Sequence, residues 1–113
     1  MTIDPETLLV ARQLKTALQG RFGGRLAGLY LFGSRARQDH RPDSDLDIAV
    51  LLHDPAMPLT SADDELLDVT YPIEIARGLH IQAWALPANA LTADRSTSRR
   101  RLIDTVRREG IAL

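Results

Sequence analysis

The chain of 113 residues has no cysteine, which excludes disulfides and thiolate metal sites. It also lacks an excess of charge of either sign: 14 basic against 15 acidic side chains leave a formal net charge of −1. That balance makes no electrostatic case for a nucleic-acid partner. No apolar run approaches the roughly 18 residues that a membrane span requires. No secretory signal precedes the first expected helix, so a bacterial-type cytoplasmic protein without a membrane partner is expected. Repeats, low-complexity tracts and internal linkers are missing too. What remains, 44% hydrophobic and 26% charged residues, is the composition of an ordinary globular chain, and the length suits one domain over 1–113.

The charge is unevenly placed. Arg95, Arg99, Arg100, Arg101, Arg107 and Arg108 fall near the C-terminus, while Asp63, Asp64, Glu65 and Asp68 cluster in the middle. The arginine run 99–101 reads as a solvated helix face, or else as a docking surface for an acidic partner or RNA.

Asp4-Pro5-Glu6 has the order of N-cap, N1 and first-turn acid, and Leu8, Ala11, Leu14 and Leu18 follow at helical spacing until Gly20 and Gly23-Gly24. Residues 25–33, "RLAGLYLFG", are a short run of strand formers. After a polar stretch broken by Pro42, "DLDIAVLL" (45–52) is continuous beyond Asp47, as a strand buried on both faces would be. A capping-box-like "SADD" from Ser61 opens an amphipathic helix to about Arg77, with Leu66, Leu67, Thr70 and Ile73 inward and a kink or break at Pro72. "LHIQAWAL" (79–86) reads as a third strand, with His80, Gln82 and Trp84 on one face. "PANALTAD" suggests a helical turn, and "STSRRRLIDTVRREG" a last helix with Leu102, Ile103 and Val106 inward. The order α-β-turn-β-α-β-α predicts an α/β (α+β) architecture, a small mixed β-sheet packed with helices.

Two features in 31–50, "LFGSRARQDHRPDSDLDIAV", carry chemistry. Gly33-Ser34 leaves a strand where a short helix starts at Ser34. A glycine there lets backbone approach a ligand closely, free N–H groups attract phosphate, and Arg35 and Arg37 add cationic charge. Asp45 and Asp47, two apart on a strand, project to one face and form a clamp for a hard divalent cation such as Mg²⁺. Each feature alone is ordinary, a turn or a solvated strand end. If the two strands are neighbours, the pair is the minimum equipment for phosphoryl or nucleotidyl transfer.

The stretch "GSRAR…DSDLDIAV" resembles the minimal nucleotidyltransferase family of the DNA polymerase β-like superfamily, whose hallmark is G-S followed some ten residues on by D-x-D inside S-D-x-D. The closing "VRREGIAL" is similar to one bacterial subgroup. The resemblance implies a nucleotidyltransferase fold and Mg²⁺-dependent transfer of a nucleoside monophosphate, AMP from ATP, to a hydroxyl on a partner protein. Gly33 and Ser34 would hold the triphosphate of ATP or another NTP, Arg35 and Arg37 would be secondary phosphate contacts, and Asp45 and Asp47 would bind Mg²⁺. It further implies an antitoxin role beside an all-helical HEPN toxin; a homo-oligomer is compatible with it. Active superfamily members bring a third carboxylate from a later strand, yet 79–86 has none. Gln82 stands at the most plausible equivalent, a candidate neutral metal ligand that cannot act as a base, with His80 on the same face. The alternative is therefore a weak or inactive protein of the same fold that neutralises its toxin by binding alone. An RNA- or nucleotide-binding module using the C-terminal arginines is disfavoured by the near-zero net charge.

Overall fold

The computed structural model describes residues 3–92 and 99–113. Helix α1 (Pro5–Phe22) starts as the sequence predicts, with Pro5 in its first turn and the Asp4 carboxylate accepting from the Thr7 N–H at 3.1 Å. It runs past Gly20 to Gly23, whose φ of 55° ends it. Strand β1 (Leu26–Phe32) leads into the short helix α2 (Ser34–Arg37), and β2 (Leu46–Leu52) follows the loop after it. Helix α3 (Leu59–Arg77) crosses over to β3 (Ile81–Pro87). Helix α4 (Arg100–Glu109) and the short β4 (Ile111–Ala112) close the chain.

The sheet order is β3-β2-β1-β4. β1 is antiparallel to β2 and to β4, and β2 is parallel to β3, so the sheet is mixed as expected. The β4 strand is additional: its pairing of Tyr30 with Ala112 and Leu31 with Ile111 is not foreshadowed by the sequence pattern, because two residues show no period.

Strand β2 is buried along its whole length except at Asp47. On one side Leu46, Ile48, Val50 and Leu52 pack with Val10, Leu14 and Leu18 of α1 and Ala62, Leu66 and Ile73 of α3. On the other, Ala49 and Leu51 pack with Phe32, Leu86 and the α4 residues Ile103 and Val106. The sheet is thus covered by α1 and α3 on one face and by α4 on the other, and Asp47 shares the α4 side by its period-2 spacing from Ala49 and Leu51.

Helix α3 departs from expectation in three ways. It begins at Leu59 behind Pro58, so Ser61 lies inside it and makes no capping box; burial of Leu59 draws the start two residues earlier. It continues through Pro72 without a break, because Pro72 sits on the exposed side, where the Asp68 carbonyl that loses its i+4 donor can be solvated. Leu67 is 55% exposed rather than inward, since the buried positions are 59, 62, 66, 69, 70 and 73. Tyr71 and Ile75, four and eight residues further on, are also exposed, at 59% and 67%. The β3 edge is closed by side chains: Glu74 accepts from the Ile81 N–H at 2.7 Å, and Asp63 from the Ala85 N–H at 2.8 Å.

Of the arginine run, Arg100 and Arg101 are exposed as predicted. Arg99 is not: it pairs with Asp63, donates to the Ala85 carbonyl at 3.1 Å and stacks on Trp84. Arg95 and the end of the expected "PANALTAD" turn lie outside the described residues, while Ala90→Pro87 and Thr92→Asn89 backbone bonds form turns before them.

Arg35 is 1% exposed. Its guanidinium donates to Thr7 Oγ1 at 2.8 Å, to the Ser44 carbonyl at 3.1 Å and to the Pro42 carbonyl at 3.2 Å, with Glu6 at 3.8 Å. It therefore ties α2 and the loop before β2 to the start of α1. Removing one partner of such a buried charged network leaves several polar groups unpaired. Arg35→Met should accordingly lower unfolding free energy by on the order of 3 kcal/mol, read by urea denaturation. A loss below half of that would contradict the clamp.

Candidate nucleotide-binding cleft

The antiparallel β1–β2 pairing sets Phe32 opposite Asp47, so the turn leaving β1 lies over the start of β2. Gly33 makes that turn with φ 79° and ψ −161°, a conformation L side chains rarely adopt. A Cβ at this position would run into Oδ2 of Asp47, so the absent side chain is what lets backbone and carboxylate meet. The Gly33 carbonyl then accepts from the N–H groups of Ala36 and Arg37, both at 3.1 Å, starting α2. Ser34 is half-buried and its hydroxyl makes no hydrogen bond among the described residues.

Asp47 lies on β2 and Asp45 one residue before it, so the two carboxylates flank the strand start rather than both belonging to the strand. Burial pushes the Asp47 carboxyl up to about 6, the Asp45 charge pushes the same way and Glu109 adds to it, while Arg37 and His80 oppose. A carboxylate this reluctant to ionise is relieved by a cation. By their oxygen chemistry Asp45 and Asp47 suit a hard divalent cation such as Mg²⁺. Among the described residues no three His, Cys, Asp or Glu side chains gather as a metal cage, so substrate or water oxygens would complete such a shell.

Gln82 is the β3 partner of Asp47, so the two side chains stand side by side on the same face. Its Oε1 lies 3.1 Å from His80 Nε2, and His80 Nδ1 lies 2.9 Å from Glu74 Oε1. The wall of the cleft is thus an amide and an imidazole held by a carboxylate, with no acid on β3 itself.

Of the predicted site residues, Gly33, Ser34, Arg37, Asp45, Asp47 and Gln82 come together here. Arg35 does not. The expectation of a phosphate contact is corrected by its burial: its three donor groups are spent on Thr7, Ser44 and Pro42. Arg37, two residues on, is exposed, and holds Asp39 and Glu109.

Glu109 is a cleft residue that the motifs do not reveal. Its Oε1 accepts from the Gly33 N–H at 2.9 Å, and both its oxygens accept from Arg37 Nη1, at 3.0 and 3.1 Å. One signal points to it: with Leu102 and Val106 it stands at i, i+4, i+7, an acid on the inner face of α4.

A mixed sheet with helices on both faces, bearing a Gly-Ser turn over an aspartate pair, is the architecture of the nucleotidyltransferase fold. The model of the polymerase β nucleotidyltransferase family matches residues 12–103, and the chain belongs to that family. No curated protein sequence matches it. Among solved structures, one of a toxin–antitoxin with AMP-PNP is similar at 22% identity and a TM-score of 0.64, over 90% of this chain and 70% of that one. The toxin–antitoxin MntA-HpeT, in mutant form, is similar at 24% identity and a TM-score of 0.63 over the same shares. A protein assigned as a minimal nucleotidyltransferase aligns over 100% of both chains at 23% identity and a TM-score of 0.57. At these identities the likeness is one of fold.

Two outcomes follow from the Asp47 environment. Its folded pKa, about 6, exceeds the unfolded value near 3.9, so the contribution to stability is present below pH 4 and is lost as pH rises through 6. In metal-free buffer, Asp47→Asn should match wild type at pH 4 and exceed it at pH 8 by roughly 1–2 kcal/mol, read by thermal unfolding at both pH values. Gly33→Ala should lower stability by on the order of 1–3 kcal/mol, from positive φ and the collision with Asp47; an unchanged melting temperature would contradict the close approach.

Proposed function

We propose that the chain is a Mg²⁺-dependent nucleotidyltransferase that moves AMP from ATP onto a hydroxyl of a partner protein, in an antitoxin role toward a HEPN-type toxin. The observation that supports this reading most is the close approach of the Gly33 turn to the Asp47 carboxylate, which would let a backbone anion site and a cation clamp share one cleft. In it Gly33, Ser34 and Arg37 hold the triphosphate, and Asp45 and Asp47 hold the metal, with Gln82 as a neutral oxygen ligand. Bound there, Mg²⁺ would supply charge neutralisation and polarisation of the reacting phosphate. The acceptor oxygen bonds to the α-phosphorus, the bond to the bridging oxygen breaks, pyrophosphate leaves with the electron pair, and the hydroxyl proton passes to solvent or to the departing pyrophosphate. Arg35 serves this only by fixing the loop that delivers Asp45.

Support for a protein partner comes from α3. Leu67, Tyr71 and Ile75 form an exposed stripe, and Asp64 and Asp68 beside it have no cation partner among the described residues. The partner that fits has an apolar ridge flanked by lysine or arginine. Two of the similar structures are of toxin–antitoxins, which favours the same reading. Gln82, standing where a third carboxylate is expected, supports the second reading, neutralisation by binding alone.

The test is to co-purify the chain with the product of its neighbouring gene and add labelled ATP with Mg²⁺. Label should reach the partner with wild type and vanish with Asp45→Asn/Asp47→Asn. A stable complex without label from either version would sink transfer and leave binding. Tyr71→Ala/Ile75→Ala should weaken that complex at least about tenfold with the fold intact, read by calorimetry.

A further inference from the structure

The anion cradle at the cleft is half occupied by the protein's own carboxylate. The Gly33 N–H and the Arg37 guanidinium, the donors best placed for a phosphate oxygen, both donate to Glu109. Ser34, the third member of the cradle, makes no side-chain hydrogen bond among the described residues. Glu109 reaches the turn from the last residue of α4, 76 positions away in sequence, and its side chain is 19% exposed. It is therefore neither buried beyond release nor a surface group that happens to touch.

A carboxylate and a phosphate oxygen make the same demand of the Gly33 N–H, which has one proton to give, and both compete for the Arg37 Nη1 donors that Glu109 now holds. We propose that Glu109 is an affinity-setting residue: an internal competitor that fills the cradle when no polyphosphate is present and must swing out for one to bind. Movement need not disturb the fold, because Ile103 and Val106 hold α4 on the sheet while Glu109 turns about its own side-chain bonds. The same competition returns Glu109 to Gly33 as a polyphosphate leaves, which shortens the stay of a pyrophosphate product. Glu109 also adds to the charge opposing Asp47 ionisation, so its departure removes an anion from the cleft as an anionic ligand enters.

The inference rests on the nucleotide reading for the identity of the ligand, and its test avoids catalysis. Inorganic tripolyphosphate is titrated without nucleotide into wild type, Glu109→Gln and Asp39→Asn, with folding checked by circular dichroism. Asp39→Asn removes a negative charge and the other partner of Arg37 but does not free Gly33. Glu109→Gln should bind on the order of tenfold tighter than wild type, the worth of one released charge-assisted contact, and Asp39→Asn should gain less than about twofold. Equal or weaker binding by Glu109→Gln, an equal gain by Asp39→Asn, or no binding by any version overturns the proposal. If Glu109→Gln does not fold, wild type still decides: saturation must move both the Gly33 amide and the Glu109 carboxyl resonances, and a stationary Glu109 signal overturns it. Because transfer is not read, a protein inactive toward ATP tests the cradle equally well.

Discussion

The contact between Gly33 and Asp47 constrains everything around it. A glycine at positive φ brings main chain against a carboxylate that burial already makes hard to ionise. Only glycine takes this backbone conformation without steric cost, while the carboxylate loses water without gaining a full ionic partner. The sheet supplies the force that keeps them together. Phe32 opposite Asp47, and the side chains of β2 packed on both faces beyond it, fix the register, so the contact cannot relax by slippage without exchanging side chains between two different packed faces.

Around this contact the charges are arranged in rings of decreasing commitment. Arg35 is fully committed, holding α2 and the loop before β2 onto α1. Arg37, two residues later in the same turn of helix, is exposed and shared between Asp39 and Glu109. The four-residue helix thus sends one guanidinium into the scaffold and one to the cleft. Asp47, desolvated and beside Asp45, keeps too little positive charge near it to ionise freely.

Much of this is legible in the residues. Asp4-Pro5-Glu6 marks the start of α1 because capping is local chemistry, and the continuous apolar run after Asp47 marks a strand covered on both faces. The G-S and D-x-D features carry the resemblance to the family that the matched residues 12–103 establish. What stays hidden depends on long-range geometry. Nothing local distinguishes Arg35 from Arg37; the positions of Thr7 on another helix and of the Pro42 and Ser44 carbonyls in the loop before β2 decide which is buried. Glu109 lies far from Gly33 in sequence, and β4 is too short to show a period. Leu67 reads as inward because an α3 start at Ser61 hides the stripe of burial that Leu59 begins.

The edge of the sheet links fold and cleft in one further way. β3 is the edge beyond β2, and an uncovered edge strand offers unpaired N–H groups to any passing chain. Here Asp63 and Glu74, about three turns of α3 apart, each reach down to satisfy one of them. Glu74 spends the same oxygen on His80 Nδ1, and His80 in turn touches Gln82 beside Asp47. A side chain needed to blunt the edge therefore also orients the wall of the cleft. Replacing Gln82 by an acid would set a third negative charge beside an Asp47 that burial and Asp45 already drive toward its protonated form. An amide at that position spares the metal-free cleft this repulsion, and the proposed cation clamp is left with two carboxylates.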